Sequence, residues 1–164
     1  MQNKLLIKSS SLLYLFDFDG TVAGSDDWQG FIKNCKLCFQ RRHINPNDFD
    51  IRWCILTARP IIDRMLIKLV CWYHKLYPQQ IITGPTIRYK FKDENQEIEY
   101  KEKVIKDILD GKFKINFTTK KIEKILYIDN NLDINKGLNQ NRKEYRYLAL
   151  TVGDFLDKNY QDAI

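Results

Sequence analysis

The chain is expected to adopt an α/β fold: one domain of three layers, with a parallel sheet between helices and a cap that is small or absent. Two observations predict this. Short apolar runs recur along the 164 residues and end abruptly on polar side chains, as Leu12–Phe16 does at Asp17. Runs of that kind read as strands buried on both faces, which is how parallel strands read. Between them lie stretches with helical spacing, and strand–helix alternation indicates a parallel sheet with crossover helices.

The elements follow in order. Lys4 and Lys8 flank Leu5-Leu6-Ile7, and Ser9–Ser11 leads into the first strand, expected at about 12–17. The stretch from Val22 to about Phe49 is too short for a separate domain and contains a helical segment. A second strand is expected at 51–57. Pro60 suits the first turn of a helix, and residues 61–76 continue with helical spacing. Further strands are expected at 80–83, 124–129 and 146–152. Thr86–Phe91 and Glu97–Tyr100 alternate like two strands around a polar turn at 92–96, which predicts a hairpin or flap at about 86–100. Glu99–Leu109 is helical in pattern, with Val104, Ile105, Ile108 and Leu109 as its apolar stripe. No repeat, low-complexity tract or long linker divides residues 1–164. No signal-peptide or membrane-spanning run is evident, so a cytoplasmic protein is the default expectation.

The chemistry concentrates at strand ends. Asp17-Phe18-Asp19-Gly20-Thr21 closes the first strand. Residues i and i+2 of a strand share a side, so Asp17 and Asp19 can face one reacting group, while Gly20 permits a tight exit and Thr21 adds a hydroxyl. Open α/β sheets bind ligands at this end. Ile51–Leu56 leads to Thr57-Ala58-Arg59-Pro60, and Ile125–Ile128 leads to Asp129-Asn130-Asn131-Leu132-Asp133.

The DxDGT string after an apolar strand resembles the first motif of the haloacid dehalogenase (HAD) superfamily of aspartate-nucleophile phosphohydrolases. That resemblance implies a Rossmann-like three-layer fold, with Asp17 as nucleophile and Asp19 as general acid and then base. LTARP resembles the second motif of polynucleotide-phosphatase and nucleotidase-like members. It implies that Thr57 contacts the phosphoryl group, with Gly20, Thr21, Ala58 and Arg59 around it. Tyr100-Lys101 resembles the aromatic-Lys pair that precedes a helix in RNA-repair-like members, and implies Lys101 as the third-motif lysine. Lys103 is the alternative, and a solvated lysine is the ordinary reading of both. Asp129 and Asp133 resemble the D-x-x-x-D part of the fourth motif, with Ile128 where glycine is usual and Asn130 where some members carry a second acid. The family binds Mg²⁺, which implies a site made by Asp17, Asp19 and Asp129, with Asp133 supporting it or capping the next helix. Charge points to the same need, because carboxylates converging on a phosphate repel without a cation, and Mg²⁺ prefers oxygen ligands.

The expected activity is therefore Mg²⁺-dependent phosphomonoester hydrolysis through an aspartyl-phosphate. Net charge is +6, and Arg88, Lys90 and Lys92 alternate with Tyr89 and Phe91 on the expected hairpin. Basic residues interleaved with aromatics suit a nucleic-acid backbone and its bases, so a phosphorylated polynucleotide end is the favoured substrate. A Lys-, Ile- and Asn-rich composition can also be basic without purpose. A mononucleotide or small phosphoester therefore stands as the alternative, and a fold that binds without turnover as the alternative of another class. Cys35, Cys38, Cys71 and His74 form a CxxC…CxxH set that could hold zinc, yet both pairs lie in segments that read as amphipathic helices, where buried thiols are ordinary.

Overall fold

A computed structural model describes residues 11–18, 28–48, 50–88, 91–116, 121–140 and 146–157. Five strands, β1 (Leu12–Phe16), β2 (Trp53–Leu56), β3 (Gln80–Ile82), β4 (Lys124–Ile128) and β5 (Tyr147–Leu150), form one sheet in the order β3-β2-β1-β4-β5. Every neighbouring pair is parallel. Among the described residues the helices are α1 (Trp28–Arg41), α2 (Arg64–Tyr73), α3 (Glu94–Leu109), α4 (Leu132–Gln140) and α5 (Val152–Asp157). A 3₁₀ turn at Ile61–Asp63 enters α2. This is the Rossmann-like three-layer sandwich that the strand–helix alternation predicts, with all five strands where the apolar runs place them.

Alternation along the strands sorts the core into two layers. Phe16, Trp53, Ile55, Leu126, Ile128, Leu148 and Leu150 pack with α1, α2 and α5, the helices contributing Phe31, Cys35, Phe39, Ile67, Cys71 and Phe155. Leu13, Leu15, Cys54, Leu56, Ile125, Tyr127 and Ala149 pack on the other face with Ile105 and Ile108 of α3 and Ile134 and Leu138 of α4. Trp53 stays fully buried because its indole Nε1–H donates to the Pro46 carbonyl at 2.9 Å. On the opposite face Gly137 lets α3 approach α4: a Cβ there would meet Ile98 Cδ1 at 2.7 Å.

The expected hairpin does not form. Glu97–Tyr100 lies inside α3, and residues 85–88 are a bend rather than a strand. The cause is local. Asp93 accepts a hydrogen bond from Gln96 N at 2.9 Å and caps a helix that starts at Glu94. Glu94 and Glu97 then occupy its first turn, where the helix dipole favours them. Lys101 is therefore buried at mid-helix rather than at the helix start. The segment after Pro60 is likewise shorter than expected, ending at Tyr73 after the 3₁₀ turn. No described helix is long and apolar enough to cross a membrane.

Candidate active site

The strand order reverses between β1 and β4, since β1 leads to β2 and β3 on one side while β4 and β5 extend the other. Such a switch point opens a crevice at the carboxyl ends of the strands. Asp17 and Asp129 follow the last paired residues of these two strands, Phe16 and Ile128. The backbone holds them there: Asp17 N donates to Ile128 O and Asp129 N to Leu150 O, both at 2.9 Å. Both lie in phase with Leu15 and Tyr127, whose side chains face α3.

From α3 comes Lys101. Its Nζ is 2.9 Å from Asp17 Oδ1 and 3.1 Å from Asp129 Oδ2, and it also pairs with Glu97 one helical turn earlier. Lys101 is wholly buried. Burial by itself would lower its pKa, but Asp17, Tyr127, Asp129 and Glu97 outweigh that and hold the ammonium well above its ordinary range. Of the two lysines open in the sequence, only Lys101 is buried; Lys103 is exposed.

Asp129 is fixed on several sides. Asn131 N donates to Oδ1 at 2.8 Å, Tyr127 Oη–H donates to Oδ2 at 2.7 Å, and Asn135 Nδ2 donates to the Asp129 carbonyl at 2.5 Å. The Tyr127 ring also lies under Lys101 Nζ, 5.5 Å from its centroid. Burial and the Asp129 carboxylate push the Tyr127 hydroxyl well above its ordinary range, so it stays a donor. Asn130 stands apart from this shell: its Oδ1 accepts from Val152 N at 3.0 Å and latches the end of β4 to α5. Asp133 does not cap the next helix. Asn131 Oδ1 caps α4 through Asp133 N and Ile134 N, and the Asp133 side chain is exposed beside Lys136.

Thr57 follows the last residue of β2, beside β1, and is buried. Its N donates to Ile82 O, and its Oγ1 accepts from Arg59 N at 3.2 Å. The loop it opens runs alongside the loop after β3, with Gly84 N donating to Arg59 O and Ile61 N to Thr86 O. A Cβ on Gly84 would come within 2.9 Å of Ala58 O, so only glycine fits here. Arg59 sets its guanidinium 5.3 Å from the Phe18 ring centroid and 3.6 Å from Asp63. Tyr100 donates its hydroxyl to Thr83 O, fastening α3 to the end of β3.

Asp19, Gly20, Thr21 and Lys90 lie outside the described residues. Arg88 and Lys92 are exposed at the approach to α3, without the hairpin that was expected to align them. Cys35, Cys38 and Cys71 are buried in the apolar layer with α1 and α2. Among the described residues, no group of three or more His, Cys, Asp and Glu side chains is arranged to hold a metal ion. Asp17 and Asp129 supply two acidic oxygen donors at the crevice.

Three functional neighbours were not singled out in the sequence, though each carried a signal. Glu97 is four residues before Lys101, the spacing of a helical ion pair. Tyr127 is two residues before Asp129, hence on the same side of β4. Asn131 precedes a helical segment, where asparagine caps. No family model matches the chain, and neither a curated protein nor a solved structure matches it.

Proposed function

We propose that the protein is a phosphomonoester hydrolase of the HAD type that works through an aspartyl-phosphate and takes a phosphorylated polynucleotide end as substrate. The observation that carries this reading is the buried Lys101 ammonium between Asp17 and Asp129, at the ends of the two strands that flank the switch point. A carboxylate held in this way is oriented and shielded from water. An ammonium beside it supports charge on a transferring phosphoryl group.

In the proposed cycle an Asp17 oxygen attacks phosphorus as the ester P–O bond breaks, and Asp19 gives its proton to the leaving oxygen. Asp19 then takes a proton from water, which attacks the aspartyl-phosphate and releases phosphate and free Asp17. Thr57, whose hydroxyl can donate as well as accept, and Lys101 hold the equatorial oxygens.

Mg²⁺ fits this donor set. Asp17, Asp129 and Glu97 place three carboxylates on one ammonium, an excess of negative charge in a buried place, and the available donors are oxygens. Asp17 and Asp129 would hold the ion with Asp19, and it would neutralise phosphoryl charge.

The polynucleotide end rests on the +6 charge, on exposed Arg88 and Lys92, and on the absence of a cap domain between β2 and α3 among the described residues. The test is Mg²⁺-dependent hydrolysis of p-nitrophenyl phosphate beside 3′- and 5′-phosphorylated oligonucleotides and mononucleotides. Wild type should release phosphate and a folded Asp17→Asn should not. Equal rates for the two proteins would remove the nucleophile assignment, and no release by either would favour a module that binds without turnover. Preference for mononucleotides would move the substrate to the small-molecule class.

A further inference from the structure

Exposed apolar side chains are gathered in one stretch of the chain. Among the described residues, every exposed large apolar side chain except Leu37 and Leu132 falls between Ile61 and Ile87. Its centre is α2 with the 3₁₀ turn before it. Only Ile67 and Cys71 of this helix are buried. Ile62, Met65, Leu66, Leu69, Trp72 and Tyr73 point the opposite way, and each is more than half exposed. They recur at seven-residue spacing, 62 with 69, 65 with 72 and 66 with 73, the seam of a helix that packs against another helix. Six such side chains side by side make an exposed apolar patch of the kind that marks a protein interaction site.

We infer that this face docks a helical segment of a partner protein that carries acidic residues around a large apolar anchor. Two observations select that occupant. The first is charge. Lys68 lies on one flank of the seam, Lys75 follows at its end, and α2 contains no acidic residue, while Arg64 turns its guanidinium to Thr83 Oγ1 at 3.1 Å. Asp63, just before it, faces Arg59 at 3.6 Å. A second copy seated on the same seam would bring Lys68 against a face that offers it no carboxylate, whereas acidic flanks would pair with it. The second is shape. Leu69, Val70, Trp72, Tyr73 and His74 line an open apolar depression of about 310 Å³. A depression of that kind seats one bulky side chain of a partner helix, the usual centre of such an interface. A flat bilayer surface has no anchor to place there. The proposal is independent of the chemistry assigned to Asp17.

The test uses the full chain and two labelled helical peptides of about 18 residues. Both carry Leu and Trp at i, i+3, i+4 and i+7; one has Glu and the other Lys at the remaining exposed positions. Fluorescence anisotropy should show the Glu peptide binding about tenfold more tightly or better, with the difference shrinking as salt rises. The double variant Leu69→Ser/Trp72→Ala should lose that binding, and Lys68→Glu should reduce the preference. All three side chains are exposed, so the thermal midpoint by circular dichroism should stay at the wild-type value. Four outcomes overturn the inference. They are no saturable binding of either peptide, equal affinity for both, a dimer in sedimentation equilibrium that Leu69→Ser dissociates, and binding to phosphatidylserine vesicles that displaces the Glu peptide.

Discussion

Tyr127 donates its hydroxyl to Asp129 Oδ2 across 2.7 Å, from a position two residues earlier on the same strand. The same oxygen lies 3.1 Å from Lys101 Nζ, so a neutral donor and a charged one converge on a single carboxylate oxygen. The phenol fixes Asp129 while its ring lies beneath the ammonium. Tyr127→Phe keeps the ring and removes the donor. Hydrogen bonds to charged groups are worth about 1.5–3 kcal/mol, so the variant should unfold at lower urea by that order. Phosphate release should fall as well, because Asp129 would lose one of the groups that aim it. An unchanged urea midpoint would show that the hydroxyl contributes nothing to the fold.

Lys101 and Lys103 separate by burial. Lys101→Met leaves Asp17, Asp129 and Glu97 with no ammonium between them. Removing one member of a buried ionic group typically costs about 3–5 kcal/mol, because the remaining charges stay desolvated. Lys103 is exposed, and Lys103→Ala should stay within about 0.5 kcal/mol of wild type. Urea denaturation of both variants measures the difference, and the phosphatase rate should follow the same order. Equal stability of the two variants would contradict the buried arrangement.

Gly84 ties the loop after β3 to the loop after Thr57. Its missing Cβ leaves room for Ala58 O and Arg59 O, which a methyl group would meet at 2.9 and 3.3 Å. Both atoms are backbone, so Gly84→Ala must push the Thr57–Pro60 loop away from the sheet end. Overpacking of this kind costs about 1–3 kcal/mol. The thermal midpoint should fall, and phosphate release should fall beyond what lost folded protein accounts for, because Thr57 moves with the loop.

The strands were legible because each is a continuous apolar run ending on a polar residue, and burial on both faces leaves no other reading of Leu12–Phe16 or Ile125–Ile128. Asp17 and Asp129 were legible for the same reason. The hairpin misled because Glu97-Ile98-Glu99-Tyr100 alternates like a strand, whereas Asp93 and the burial of Lys101, Val104 and Ile105 make it helix. Alternation over four residues is weaker than a cap followed by a long apolar stripe. Asp133 does not cap α4 because Asn131, two residues earlier, reaches its free N–H groups first. The meeting of Lys101 with Asp17 depends on how α3 crosses the sheet, 84 positions away in the chain, and no local pattern encodes that.

The four thiols make stability depend on alkaline pH. Burial pushes Cys38, Cys54 and Cys71 from an ordinary 9.0 up to about 12, and Cys35 also well above its ordinary range. Unfolded thiols lose their protons near pH 9, while folded ones keep them. A group whose pKa is raised by folding contributes its stability below the unfolded value and loses it as pH rises through the folded value. The thiol contribution should therefore be constant between pH 7 and 8. It should decline above about pH 9, by up to about 1.4 kcal/mol per pH unit for each thiol ionised only in the unfolded chain. Urea midpoints taken from pH 7 to 10.5 under a reducing atmosphere measure this. Native protein at pH 8 should react slowly with Ellman's reagent and rapidly once unfolded in urea. A midpoint that rises above pH 9, or rapid reaction of the native thiols, would place these cysteines outside the core.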